Sequence, residues 1–161
     1  MAVDMFLKID GEIEGESKDH KHKGEMDILA WSWGLSNSGS FHTGGGGGSG
    51  KANFQDLSVT KWVDIASPVL QLFCSNGDQF KKATLCVRKA GKKPLEYIVI
   101  TMEDVMVTSV STGGSGGEDQ LTENVTLNFA KVKFEYTSQK DDGGPDKKKN
   151  NYWDIRANAP A

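Results

Sequence analysis

The chain has 161 residues, of which 37% are hydrophobic and 25% are charged, and its formal net charge is −3. This length predicts a single domain spanning 1–161, large enough to bury about 70% of the surface that the unfolded chain exposes. The composition excludes a disordered or fibrous protein, and the weak acidity, with only two arginines, gives no reason to expect a nucleic acid or a membrane as partner.

A strand is the first predicted element, since every second residue from Val3 to Ile9 is apolar. The same segment lacks the basic and apolar regions of a cleaved signal peptide. Cys74 and Cys86 are the only cysteines, and their spacing matches neither a redox motif nor a disulfide framework. We therefore expect the chain to be made in a reducing compartment.

The segment from Met26 to Leu35 predicts a second strand with two unlike faces. One face carries large apolar side chains that we expect to pack in the core: Leu29, Trp31, Trp33 and Leu35. On the other face the side chains become smaller along the strand, and the last two are Ala30 and Ser32.

Two glycine-rich loops are predicted, at residues 36–51 and 112–118. Ordering about a dozen such backbone units costs on the order of ten kcal/mol, and small side chains recover little of it. A whole domain is stable by only about 5–15 kcal/mol. The first loop is therefore either mobile in the monomer or ordered by main-chain hydrogen bonds to another chain.

One helix is predicted over residues 67–76. Ser67 is a suitable N-cap residue, and Pro68 suits the first helical position. Asn76 and Gly77 form a C-terminal stop signal. A helix of about three turns needs packing against a sheet to persist.

Strand patterns return after the helix, in Ala83–Arg88 and in one long strand or two over Leu95–Val110. The next strand changes phase by one residue, which predicts a bulge near Ala130. A polar segment, 138–151, precedes a last short strand over 152–156. About eight strands and one small helix predict a mainly β fold, an antiparallel β-barrel with one short flanking α-helix.

No motif for chemistry is complete in this chain. Gly45–Lys51 matches the start of a phosphate-binding loop, but Ala52 replaces the Ser or Thr that would hold magnesium. His20 and His22 could share one face of a strand, but no third ligand is signalled nearby. We therefore predict no metal site, no cofactor and no enzymatic activity, with a small hydrolase or nuclease as the remote alternative.

Four segments nevertheless resemble the haemolysin-coregulated protein (Hcp) family. They are Ala30–Gly34, the glycine run 44–48, Arg88–Gly91 and, most specifically, Ser111–Ala130. The resemblance runs from the first predicted strand to the last and covers nearly the whole chain.

The resemblance implies a structural subunit of the type VI secretion inner tube. Family members form hexameric rings that stack into a tube inside a contractile sheath, capped by a spike protein, and carry effector proteins in the lumen. They are cytoplasmic before firing and are then secreted to the outside or into a target cell, without a cleaved signal peptide. The chain ends soon after its last strand signal, which favours this plain form over a toxin-fused one. A phage-tail-like tube or connector of another contractile system is the alternative.

Within that implied tube, the first glycine loop is expected to contact the adjacent ring. The predicted ring-stacking residues are Gly44, Gly45, Gly46, Gly47, Gly48, Gly50 and Lys51. Ala30 and Ser32 are expected to line the lumen or the seam between subunits, where small and weakly polar side chains accommodate varied cargo.

Overall fold

The computed structural model describes residues 2–11, 13–39, 41–43 and 50–161. Its strands are β1 (Val3–Ile9), β2 (Met26–Ser32), β3 (Leu35–Ser36), β4 (Asn53–Phe54), β5 (Leu57–Trp62), β6 (Gln79–Lys89), β7 (Leu95–Thr112), β8 (Thr122–Gln139), β9 (Pro145–Asp154) and β10 (Ala159–Pro160). One α-helix, α1 (Ala66–Asn76), and a single 3-10 turn at Phe41–Thr43 complete these ranges. Among the described residues, no helix is both long enough and apolar enough to cross a bilayer.

Six strands close into an antiparallel barrel. Their order is β8-β5-β2-β1-β6-β7, and the pairing of β7 with β8 joins the two ends. Apolar side chains from all six strands fill the interior, and Leu7, Leu85 and Ile100 are completely buried there. The mainly β barrel with one short helix, predicted from the sequence, is confirmed.

The two longest strands, β7 and β8, change their buried face together. Glu103 pairs with Lys131 and Val105 pairs with Phe129, so the register is the same on both sides of Ala130. The predicted one-sided bulge is therefore wrong. Asp104 lies opposite Ala130 with φ 54°, a left-handed backbone conformation that turns the strand.

Strand β8 also changes its second neighbour at this point. It pairs with β5 up to Leu127 and with β9 from Lys131 onwards. The segment 138–151, predicted as polar and without a strand, contains most of β9, which begins at Pro145. The first seven residues of β9 are all exposed, so the segment shows no alternation of apolar and polar side chains that would predict a strand.

The helix α1 begins one residue earlier than predicted, and its cap differs. Asp64 Oδ1 accepts a hydrogen bond from the Ala66 N–H at 3.0 Å, while Ser67 Oγ accepts one from the Asp64 N–H at 2.9 Å. Ser67 is thus a helical residue that reaches back, as in a capping box, instead of the N-cap. At the other end Gly77 adopts φ 72° and its N–H bonds to the Phe73 carbonyl oxygen, so the predicted stop is correct.

The core face predicted for the second strand is only partly correct. Ile28 pairs with Lys61 and Ala30 pairs with Thr60, so Leu29 is an extra residue that shifts the face of the strand. Leu29 is 39% exposed and Leu35 is 48% exposed, and neither belongs to the core. Two other predicted core residues, Trp31 and Trp33, are half-buried and pack against the core.

Candidate assembly surfaces

The outer face of the barrel carries a patch of small uncharged side chains on four adjacent strands. Two rows of paired residues cross β2, β5, β8 and β7 in that order. The eight residues, together called the small polar wall, are Ala30, Ser32, Ser58, Thr60, Ser109, Ser111, Asn124 and Thr126. Paired residues on neighbouring strands point to the same side of a sheet, so this wall is continuous.

Short hydrogen bonds fix the side chains of the small polar wall. Thr60 Oγ1 donates to Asn124 Oδ1 at 2.7 Å, and Ser109 Oγ lies 2.6 Å from Thr126 Oγ1. Four of the eight members are thus hydrogen-bonded within the wall, and none of the eight is charged. Because it carries no charge, such a face can contact water or another protein without needing an oppositely charged group opposite it. The structure places Ala30 and Ser32 on this exposed face, as the sequence suggested.

Two short strands, β3 and β4, flank the first glycine loop and form a stem. Leu35 pairs with Phe54 in β3 and β4, and Gly50 lies so close to Ser38 that a Cβ on Gly50 would be 2.5 Å from Ser38 Oγ. Phe41 is 84% exposed beyond this stem. A neighbouring chain that covered this ring would remove a large apolar area from water. Lys51 is exposed, whereas Gly44, Gly45, Gly46, Gly47 and Gly48 lie outside the described residues.

A second apolar surface lies where β5 leads into α1. The Val63 N–H donates to the Leu121 carbonyl oxygen at 2.8 Å, and both side chains are about 40% exposed. Ile65 follows at 67% exposed. Gly114 of the second glycine loop packs against the Leu121 side chain, at a distance that a Cβ would not permit. The sequence did not predict this surface, because the exposure of Leu121 depends on how the second glycine loop packs beside it.

A buried ion pair lies inside the barrel. It was not predicted from the sequence. Lys61 Nζ donates to Glu123 Oε2 at 2.6 Å and to Asp64 Oδ1 at 2.8 Å, and Ser67 Oγ donates to Glu123 Oε2 at 2.5 Å. Lys61 and Glu123 side chains have no exposed surface. The signal was present in the sequence: Lys61 continues the inward series of Leu57 and Val59.

The segment 13–25 covers β1 and β6 from outside the barrel and is held by charge. Arg88 donates to Asp19 through both of its terminal nitrogens, at 3.0 and 2.6 Å, and to Asp4 at 3.1 Å. These hydrogen bonds from Arg88 hold the pKa of Asp19 well below its usual range, against the opposing effect of partial burial. The Arg88 guanidinium also lies 5.2 Å from the centre of the Phe6 ring.

Replacing Asp19 with asparagine is expected to make the free energy of unfolding fall less steeply as the pH is lowered. The folded wild type holds the Asp19 carboxylate ionised, so between about pH 2 and 4 it binds fewer protons there than the unfolded chain does. Its stability therefore falls as the pH falls through this range. Urea midpoints measured across the range test this, with the exposed Asp10→Asn variant as the control. Equal acid slopes in the wild type and Asp19→Asn would contradict the assignment.

Comparisons with known proteins identify the architecture. Residues 6–136 match the family described as "Type VI secretion system effector, Hcp". The chain is 60% identical over 163 residues to protein hcp1 of Pseudomonas aeruginosa, with 100% of both chains covered. It is also similar to a solved type six secretion system protein, with TM-score 0.93 and 29% identity, covering 99% of this chain and 100% of that one.

A further solved structure has the same fold over its full length. Hcp1 from Salmonella typhimurium matches with TM-score 0.80 and 36% identity, and 100% of each chain is covered. Family match, full-length identity and fold agree with one another. The chain therefore belongs to the Hcp family, and the tube-subunit role in type VI secretion predicted from its sequence is confirmed.

Proposed function

We propose that this chain forms hexameric rings, that the rings stack into the secreted inner tube, and that the tube carries effector proteins in its lumen. The small polar wall supports this proposal most directly, because it offers a continuous uncharged face on four adjacent strands. Curved around a central hole, six such faces would let varied cargo pass with little specific binding. The role is structural and requires no catalysis.

The exposed apolar surfaces supply the contacts that such an assembly needs. The stem of the first glycine loop presents Phe41 away from the barrel, where the next ring would cover it. Val63, Ile65 and Leu121 are available for a neighbour within the ring. β10 pairs only with Trp153 and Asp154, so residues 145–151 of β9 lie at the edge of the sheet and can pair with another strand, since unpaired edges favour addition of a further chain. Gly50 and Lys51 are proposed to take part in stacking.

The expected partners follow from this assembly. A contractile sheath surrounds the tube, a spike protein caps it, and small effectors occupy the lumen. The protein is in the cytoplasm before firing and outside the cell or in a target cell afterwards. The alternative, a tube of another contractile system, is separated by co-purification of the chain with a type VI sheath or spike protein from its own host.

Light scattering of the purified chain tests the ring directly. We expect a mass of six chains, and electron micrographs of the same sample should show rings with an open centre. A monomer at concentrations up to those in the cell would overturn the proposal. Phe41→Ser is expected to leave the ring mass intact while reducing stacks, since Phe41 would contact the next ring. The control is Leu72→Ser, which changes an exposed apolar residue on α1.

The assignment of Ser32 to the lumen is tested by enlarging it. We expect Ser32→Gln to leave the six-chain mass unchanged but to reduce retention of a cargo effector co-expressed with the chain, because six longer side chains would narrow the hole. The matched control is Gln71→Asn, at an exposed position on α1 away from the small polar wall. Unchanged assembly together with unchanged cargo retention would reject the assignment.

A further inference from the structure

Three side chains of different chemistry meet where the segment 13–25 crosses the barrel. His22 belongs to that segment, Cys86 to β6 and Glu96 to β7, and their ligand atoms lie within 4.8 Å of one another. His22 is 8% and Cys86 is 4% exposed, while the Glu96 side chain reaches solvent. Imidazole, thiolate and carboxylate are the three ligand types that zinc takes in proteins.

The hydrogen bonds of His22 are what point to a cation. Its Nδ1 lies 2.9 Å from Glu25 Oε2, and its Nε2 lies 2.8 Å from Glu96 Oε1. A neutral imidazole has one N–H, so it can donate to only one of these carboxylates. With that hydrogen on Nδ1, the lone pair of Nε2 faces the Glu96 oxygen, and a cation bound by both atoms, once they have moved slightly apart, would remove the repulsion.

The surroundings of His22 match those of a metal-ligating histidine. The other ring N–H of such residues almost always donates a hydrogen bond to a carboxylate, a backbone carbonyl or water, which fixes the tautomer and the orientation of the imidazole. Glu25 occupies that position, and its side chain is largely buried. The imidazole is also stacked on Phe6, with the ring centres 4.3 Å apart and the planes inclined by 9°. The His22 imidazole is therefore held in one orientation before a zinc ion binds.

We propose that this chain binds one zinc ion through His22 Nε2, Cys86 Sγ and a Glu96 carboxylate oxygen. Zinc bonds of about 2.0–2.3 Å put tetrahedral ligand atoms roughly 3.3–3.8 Å apart, so changes of about 1 Å or less in the separations complete the site. A water molecule would complete the tetrahedron as the fourth ligand. On binding, the Cys86 thiol gives its proton to water and its sulfur becomes a thiolate ligand.

Two carboxylates lie beside His22, one at each ring nitrogen. Glu25 Oε2 is 2.9 Å from Nδ1 and Glu96 Oε1 is 2.8 Å from Nε2, and a divalent cation would balance their negative charge. The bound ion would join the segment 13–25 to β6 and β7, and so tie three parts of the chain that are distant in sequence.

Zinc alone is the probe for the first test. Tag-free protein is stripped with a chelator, incubated with zinc chloride and passed over a desalting column, and its metal content is measured. We expect one zinc per chain and a higher thermal unfolding midpoint with zinc than without. Cobalt in place of zinc should give the near-ultraviolet charge-transfer band of a cobalt–thiolate bond. A chain that retains no zinc would overturn the proposal.

The chain offers matched controls for the ligands. Cys86→Ser and His22→Gln are expected to lower zinc affinity more than about 100-fold, and Glu25→Gln about 10–100-fold, as for a carboxylate that positions a ligand. Cys74→Ser and His20→Gln should bind zinc like the wild type, since neither residue belongs to the cluster. Equal losses in these controls would reject the site.

The Glu96→Gln variant tests the site at an exposed residue, where a loss of zinc binding would not be due to unfolding of the chain. Glu96 is exposed, so this substitution should leave the near-ultraviolet circular dichroism unchanged while it lowers the affinity for zinc. Unchanged affinity in a folded Glu96→Gln variant would remove Glu96 from the site. The measurement is independent of ring assembly, because the cluster lies within one chain.

Discussion

Replacing Lys61 with methionine is expected to destabilise the fold by about 3–5 kcal/mol. The substitution leaves the carboxylate of Glu123 in a wholly buried position with only neutral or negative groups around it. Asp64 also loses the ammonium group that lies 2.8 Å away. The free energy of unfolding in urea, compared at one protein concentration, measures the effect.

A second substitution separates the ion pair from simple packing. Lys61→Met combined with Glu123→Leu removes both buried charges, and apolar replacements of buried pairs are often neutral or stabilising. We therefore expect the double variant to regain most of the stability that Lys61→Met loses. Lys8→Met, on an exposed strand position, is the control. A loss below about 1 kcal/mol for Lys61→Met would show that water reaches Glu123, contrary to the structure.

Replacing Leu127 with alanine is the other change with a large expected effect. Leu127 is completely buried in the middle of β8, where it pairs with Leu57 on one side and Val107 on the other. Removing three carbon atoms there leaves a cavity that closed barrel strands cannot collapse to fill. Buried Leu→Ala changes lower the free energy of unfolding by about 2–5 kcal/mol.

The matched control for this prediction is another leucine. Leu72 is 58% exposed on α1, and Leu72→Ala should change the stability of the isolated chain by no more than about 0.5 kcal/mol. Similar losses for the two variants would contradict the placement of Leu127 in the core. Because Leu127 points inward and the small polar wall points outward, rings of a Leu127→Ala variant that remains folded should keep their six-chain mass.

Local patterns account for the elements that the sequence predicted well. The alternation of apolar residues identifies β1 and β6, and the proline and glycine signals around α1 give its extent to within one residue. The alternation failed where the backbone departs from it. At Leu29 one extra residue reverses the face of the strand, and no side-chain pattern marks such a bulge in advance.

In the candidate sites, too, the sequence shows some features and the fold determines the others. Ala30 and Ser32 were recognised as small, but the wall they belong to extends over strands whose neighbours depend on pairing across the fold. Lys61 could have been marked as a core-facing lysine that needs a partner. That the partner is Glu123, 62 residues later in the chain, depends on the register of β5 against β8.

The amino-acid pattern alone establishes a mainly β chain with one short helix, two glycine-rich loops and membership of the Hcp family. Those properties depend on side-chain period, turn residues and local motifs, which a linear sequence displays. Closure of the barrel by β7 and β8, and the meeting of His22, Cys86 and Glu96, depend on contacts between residues far apart in sequence. Only the folded chain decides these, because register and strand order arise from the packing of the whole core.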